Sequence, residues 1–463
     1  MSEIAAEPGS FRDRTARVFY HDGHIFRGLS ATALKEWQAL SATSLYRRFA
    51  ENGAIVPTRQ REIGSLPFHL DEPWAAVLEH ERLPFVSYPY EWSFEMLRDA
   101  ALLQLDLVLA GLDEGIGLKD ASAYNVQWKG ATPVFVDIGS FYKRAEGEPW
   151  VGYRQFCQMF LYPLLLQAYR DVPFQAWMRG NIDGMDAEVC LNLLSARDYF
   201  RGGVLAHVYL QAKAQKAYNS TTRDVRAELN KAGFDTRIIK TNAEGLRKLV
   251  ASLEWKPKQS TWSDYLKCGH YEAADAEQKR QFVRDVVATR PWNMTWDIGC
   301  NVGVFSRIAA ERSASVVAMD ADHLAVDKLY RALKAEHVPN ILPLVVNVTD
   351  PSPNLGWRNL ERKRINERGR PDLVLALALI HHVVIGGNIP LAEFVQWLRD
   401  LGGELVIEFV TRQDPMVATL LRNKDDHYTD YTEESFEREL SARFKIARRQ
   451  PLGSSTRIMY HAQ

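Results

Sequence analysis

At 463 residues the chain is too long for one ordinary domain; at about 150 residues per domain, two to four are expected. Its 46% apolar and 25% charged residues are those of a soluble globular protein. A net charge of −1 gives no reason to expect a nucleic-acid partner.

The N-terminus, Met-Ser-Glu-Ile-Ala-Ala-Glu-Pro, is polar and acidic, unlike a secretory signal. Residues 1–85 then open with a strand, turn and strand: Arg17-Val-Phe-Tyr, His21-Asp-Gly-His, Ile25-Phe-Arg. Leu34, Trp37, Leu40, Leu45 and Phe49 predict a helix over Ala31–Asn52. Short strands follow, one at Ala75–Glu79. This part reads as a small α+β domain.

Residues 86–215 read as mostly helical. Phe94–Gly111 is strongly amphipathic. The longest apolar run, Phe156–Tyr169, contains two glutamines, a cysteine and a proline. A bilayer needs about 20 apolar residues, so a buried helix is expected and no transmembrane segment. Between them lies Leu118-Lys-Asp-Ala-Ser-Ala-Tyr-Asn-Val-Gln-Trp, a turn at Lys129-Gly, and Pro133-Val-Phe-Val-Asp-Ile-Gly-Ser. This stretch resembles the catalytic loop and metal-binding hairpin of protein-kinase-like phosphotransferases, His-Arg-Asp-x-x-x-x-Asn followed by Asp-Phe-Gly. The resemblance implies Asp120 as base, Asn125 and Asp137 as magnesium ligands, and Mg-ATP as a ligand of this part. The chain departs from the pattern. Leu118 stands in place of the His, no Gly-rich phosphate loop lies upstream, and Lys35 is the one lysine among the first hundred residues. Arg27 with Glu36 would replace the family's Lys–Glu pair, although a guanidinium is not equivalent to an ammonium. A degenerate kinase-like module, an active phosphotransferase and an unrelated helical domain all remain open.

Residues 216–290 form a charged helical connector. The helix Asp275–Ala288 precedes the last domain, and Tyr265 and Tyr271 before it are candidate lid residues. The cysteines, Cys157, Cys190, Cys268 and Cys300, include no CxxC pair. Neither disulfides nor a zinc site are expected, and a cytoplasmic location fits best.

Residues 291–463 predict an α/β domain. Met-Thr-Trp-Asp-Ile-Gly-Cys-Asn-Val-Gly is a buried strand and glycine turn, followed by a helix and Ser-Val-Val-Ala-Met-Asp. This is half of a nucleotide-binding βαβ unit. Asp320 lies 23 positions after Asp297, where a ribose-binding acid is expected roughly 20 on. Asn301 replaces the middle glycine of the dinucleotide fingerprint, as suits a ligand without phosphates. Further strands are predicted at Ile341–Val346, Asp372–Leu379, Glu404–Val410, Phe444–Arg449 and Thr456–His461, the last two antiparallel. Helices are predicted at Leu324–Glu336, Pro390–Leu401 and Thr432–Leu440.

The motif and the terminal antiparallel pair resemble class I S-adenosylmethionine-dependent methyltransferases. The fold class expected is therefore α/β, a Rossmann-like methyltransferase sheet with a terminal antiparallel hairpin, preceded by a kinase-like α+β domain. The resemblance implies S-adenosylmethionine bound by Asp297, Gly299, Cys300, Asn301, Gly303, Asp320, Asn347, Asp350 and Tyr271. His381, His382 and Glu408 stand at the acceptor edge as catalytic candidates. Either histidine is a base for a hydroxyl or carbon acid, or a pocket wall. Asp414 and the run Asp425-Asp-His-Tyr-Thr-Asp-Tyr are a candidate acceptor-side lid. Arg358–Arg370, with six basic residues and two glutamates, is a receiver for an anionic substrate or a solvated helix. The combined arrangement resembles bacterial methyltransferases of the nodulation and surface-polysaccharide type. The acceptor would be a glycan or a small molecule. A kinase–methyltransferase capping a polysaccharide and a non-catalytic cofactor-binding regulator are the alternatives. The sequence gives no oligomeric state.

Overall fold

The computed structural model describes residues 4–70, 72–219, 235–257, 273–422, 424–425 and 427–463. The chain divides into two units, one of residues 1–128, 132–257 and 354–362, the other of residues 129–131, 258–353 and 363–463.

The first unit opens on β1 (Ala5–Ala6), β2 (Ala16–His21), β3 (His24–Leu29), β4 (Thr58–Arg61) and β5 (Ala76–His80), in the antiparallel order β1-β2-β3-β5-β4. Asp22 and Gly23, at φ 48° and 81°, turn β2 into β3 in two residues, the tight hairpin that Asp-Gly favours. The single helix expected over 31–52 is two, Ala31–Ser41 and Ser44–Glu51. The Thr43 hydroxyl accepts the Tyr46 N–H at 3.1 Å and so starts a new helix where the old one would have continued.

A helix at Phe94–Asp113, capped by Ser93, is buried along most of its length. Thr236–Ser252 packs on it, and Arg98 Nη1 donates to the Leu253 carbonyl at 3.0 Å. Two short ladders follow, β6 (Ile116–Leu118) with β9 (Phe141–Lys143), and β7 (Val126–Lys129) with β8 (Thr132–Phe135). The apolar run expected as one buried helix is buried, but a π-helical turn at Cys157–Leu161 precedes the α-helix Tyr162–Arg170.

The second unit is a seven-stranded sheet: β10 (Trp292–Ile298), β11 (Ser313–Asp320), β12 (Ile341–Val345), β13 (Leu373–Ala376), β14 (Glu404–Val410), β15 (Ile446–Pro451) and β16 (Arg457–Ala462). The order is β12-β11-β10-β13-β14-β16-β15, with β16 antiparallel to both its neighbours and the rest parallel. The order of strand addition therefore reverses between the parallel neighbours β10 and β13, the crevice where such sheets take ligands. β12 and β13 are buried throughout, as strands covered on both faces must be. β13 stops at Ala376, three residues before the expected end, because Ala378 turns to φ 51°. This topology with a terminal antiparallel hairpin is that of class I S-adenosylmethionine-dependent methyltransferases.

The stretch Arg358–Arg370 is no helix. It holds two 3₁₀ turns, Trp357–Asn359 and Ile365–Glu367, with Arg358 at φ 56°. Residues 354–362 group with the first unit, where Arg12 grips Glu361 through two bonds of 2.7 Å. Among the described residues no helix is long and apolar enough to cross a membrane.

Candidate functional site

The glycine turn follows β10 directly. Asp297 is buried at the strand end and accepts the Ser306 hydroxyl at 2.5 Å. Burial pushes its carboxyl up to about 6, against the lowering effect of Ser306. Gly299 and Gly303 sit at φ 80° and 79°, and Asn301 at 49°. A Cβ on Gly303 would lie 2.5 Å from Leu329 Cδ1, so the helix Val304–Ala310 can start this close only from glycine. The Gly299 and Cys300 amides both donate to the Met319 carbonyl, at 2.8 and 3.0 Å. Burial drives the Cys300 thiol far above its ordinary range, so it stays protonated.

Asp320 ends β11 beside this turn. One carboxylate oxygen accepts the Asn301 amide at 2.8 Å, the other the Asp322 amide at 2.9 Å. Burial raises its carboxyl, and those two amides oppose the shift. Asp297, Gly299, Cys300, Asn301, Gly303 and Asp320 thus meet at one carboxyl edge. Asn347 and Asp350 lie exposed after β12; Asn347 Oδ1 accepts the Thr349 amide at 3.1 Å and hydroxyl at 2.8 Å. Tyr265 and Tyr271 lie outside the described residues.

After β13, His381 is fully buried and neither ring nitrogen has a hydrogen-bond partner among the described residues. Burial, His382, Arg457 and Lys279 hold its imidazole well below the usual range. The His382 ring, centred 4.1 Å away, is pushed down to about 4, chiefly by burial. Both rings are neutral at physiological pH and weak as bases.

Glu408 does not stand free at the edge. It accepts from Lys279 Nζ, from the helix Ala273–Val287, and from Arg457 Nη1 at 3.1 Å. Arg457 Nε reaches Asp414 at 2.8 Å. All four side chains are at most 5% exposed. Burial would raise the Glu408 carboxyl, but the two cations hold it below the usual range. Asp414 also caps the helix Pro415–Leu421 through the Met416 amide, so it is an anchor more than a lid. Farther on, Lys424 Nζ donates to the Ile385 and Gly386 carbonyls, and the Tyr428 hydroxyl lies 3.3 Å from Asn388 Oδ1. These bonds latch part of the candidate lid run onto the turn after His382.

Sequence reasoning missed Lys279 and Arg457. Neither left a local signal: Lys279 sits on a highly charged helix, and Arg457 shares its strand face with Met459 and His461, a mixed face that does not mark burial.

In the first unit, Asp137 Oδ1 accepts Arg27 Nη1 at 2.8 Å and Oδ2 accepts the Ser140 hydroxyl at 2.6 Å. Asn125 Nδ2 donates to that same hydroxyl at 3.1 Å. Burial would raise the Asp137 carboxyl; Arg27 and Ser140 hold it low. Burial and the charge of Asp137 raise Asp120. The expected Arg27–Glu36 pairing is replaced: Arg27 takes Asp137, and Glu36 Oε2 accepts the Lys143 amide at 2.7 Å.

No family model matches the chain. It is 36% identical over 473 residues to nodulation protein NoeA of Rhizobium meliloti (strain 1021), across 99% of this chain and 97% of that protein. The crystal structure of the N-methyltransferase NodS from Bradyrhizobium japonicum WM9 in complex with S-adenosyl-L-homocysteine is 11% identical at TM-score 0.30, over 44% of this chain and 98% of that one. Magnesium protoporphyrin IX methyltransferase from Synechocystis PCC 6803 with bound S-adenosylmethionine is 18% identical at TM-score 0.28, over 45% of this chain and 87% of that one. The chain therefore belongs to the family of nodulation protein NoeA, with the S-adenosylmethionine-dependent methyltransferase fold in its second unit.

Proposed function

We propose that the second unit binds S-adenosylmethionine and transfers its methyl group to a hydroxyl or carbon of a glycan or small-molecule acceptor. The observation that carries this reading is Asp320. Its carboxylate is fixed by two backbone amides at the end of β11, beside the glycine turn that follows β10 at the switch in strand order. An acid held there suits a ribose diol. Gly299 and Gly303 at positive φ leave the turn's backbone bare of side chains at those two positions, which supports the fit of this cofactor.

The cofactor supplies an already activated sulfonium methyl, so the protein's part is mainly positioning. Asp320 would hold the ribose, and Asn347 and Asp350 would take the base. Gly299 to Gly303 would line the methionine part. His382, neutral and weak as a base, walls the acceptor pocket, and the fully buried His381 packs against it. Glu408 is a positioning residue that ties β14 to the helix Ala273–Val287.

The first unit is read as a kinase-like module for recognition of substrate or partner. Support comes from the two short ladders that frame a loop carrying Asp120 and Asn125 and lead to Asp137. The test is label transfer from methyl-labelled S-adenosylmethionine into small-molecule, protein, nucleic-acid and polysaccharide fractions of a bacterial extract. Label in polysaccharide or small molecules that is lost in Asp320→Ala supports the reading. Cofactor binding with no labelled acceptor favours a regulatory protein.

A further inference from the structure

Three apolar side chains of one short stretch in the first unit face outward: Phe200 is 94% exposed, Leu205 54% and Leu210 53%. Single exposed apolar residues are ordinary, but a group of them marks an interaction surface. A ring as open as that of Phe200 projects past its neighbours and adds nothing to the core.

The stretch is firmly built. A 3₁₀ turn, Ala196–Phe200, precedes a π-helical turn, Val204–Tyr209, which runs on as the helix Leu210–Asn219. Val204 and Val208 face inward, both 0% exposed. The Leu210 amide donates to the Leu205 carbonyl, five residues back. In an α-helix residues five apart lie about 140° apart around the axis. The wider turn sets Leu205 and Leu210 one above the other, on the outer face. The chain on either side of Phe200 is held: the Tyr199 ring meets the Tyr209 ring at 5.5 Å, and the Arg201 guanidinium lies 4.8 Å over the Tyr169 ring.

The charge beside these side chains has one sign. From Tyr199 to Asn219 the sequence carries Arg201, Lys213 and Lys216 and no acid, against a net charge of −1 for the whole chain. Asp198, just before, is buried and taken up by Ser195 and Arg201. Lys213 and Lys216 are exposed on the helix that Leu210 begins. Lys216 reaches Glu188 only at 4.0 Å, with both side chains largely in solvent, a contact worth little. Apolar tips beside lysines on long flexible stems suit acyl chains and headgroup phosphates together. We propose that this patch docks the first unit on an anionic lipid surface. Phe200, Leu205 and Leu210 enter the interface, and Lys213 and Lys216 meet the phosphates. The inference goes beyond the methyl-transfer reading and does not rest on it.

Co-sedimentation of the full chain with lipid vesicles tests this. The vesicles are phosphatidylcholine alone, or phosphatidylcholine with about a third phosphatidylglycerol, each at low and high salt. The expected result is binding to the anionic vesicles that weakens with salt, and little binding to the neutral ones. Phe200→Ser should lower the partition coefficient about tenfold, the loss of one inserted aromatic side chain. Lys213→Gln with Lys216→Gln should lower it about tenfold on the anionic vesicles alone. Both variants should melt with the parent, because the side chains they change are exposed. No binding to anionic vesicles, equal binding to both kinds, or binding unaltered by Phe200→Ser would overturn the proposal. So would earlier melting of Phe200→Ser, which would mean that the protein itself covers the ring. Self-association of the parent that Phe200→Ser abolishes would also overturn it, by making the patch a contact between two copies. S-adenosylhomocysteine binding, measured alongside, should be the same in parent and Phe200→Ser. Its absence from the parent would count against the methyltransferase reading and leave this one standing.

Discussion

Glu408 and Lys279, 129 positions apart, form an ion pair in the core of the second unit, with side chains 0% and 5% exposed. Arg457 shares the glutamate and passes on to Asp414. Removing one partner of a buried pair leaves an uncompensated charge, which costs about 3–5 kcal/mol, whereas replacing both by apolar groups can be nearly neutral. Lys279→Met should therefore destabilise strongly, and Lys279→Met with Glu408→Leu much less. Arg457 would still face Asp414. Urea denaturation of the single and double variants gives the coupling energy; additive losses would show that the pair does not act as a unit.

Asp320 fixes the glycine turn through the Asn301 amide. Asp320→Ala should abolish measurable S-adenosylhomocysteine binding by calorimetry. It should also cost about 1–3 kcal/mol of stability, from the two amides left without their acceptor. Asp320→Asn keeps one acceptor oxygen and should retain part of the stability with weakened binding. Undiminished binding in Asp320→Ala would remove this residue from the site.

Asp297 gives the second unit a pH signature. Its carboxyl rises from 3.8 to about 6 in the fold, so the folded chain holds that proton more tightly than the unfolded chain. The stability it contributes is complete below pH 3.8 and is lost as pH rises through about 6. Asp297→Asn keeps an oxygen for Ser306 and cannot ionise. The variant should lose this slope and gain stability over the parent above pH 6. Denaturant titrations across pH 4–8 check it; parallel curves for the two proteins would contradict the assignment.

The latch from Lys424 and Tyr428 to the turn at 385–388 should be separable from cofactor binding. Lys424→Ala with Tyr428→Phe removes its side-chain bonds. Limited proteolysis should then cut faster between residues 412 and 431, with S-adenosylhomocysteine affinity within about twofold, since exposed polar contacts are worth little. A parallel fall in cofactor affinity would make the latch part of the cofactor site.

The sequence by itself determined the elements whose cause is local. Apolar runs marked the buried strands β10 to β14, and glycines at 299 and 303 marked a turn that only positive φ permits. Asp297 and Asp320 were placed because each follows an apolar run and ends it. Local pattern also misled where a local competitor won: the Thr43 cap divided one helix into two, and Ala378 cut β13 short. Only the tertiary structure decided which charges meet. Glu408 looked like a free carboxylate at a strand end because neither Lys279 nor Arg457 is near it in the chain. Arg27 looked like a partner for Glu36 and instead took Asp137, 110 positions away. Hydrophobic periodicity is written every two or every three to four residues, so it survives in the sequence. An ion pair between distant segments has no period, and its partners are set only when the sheet and its helices have packed.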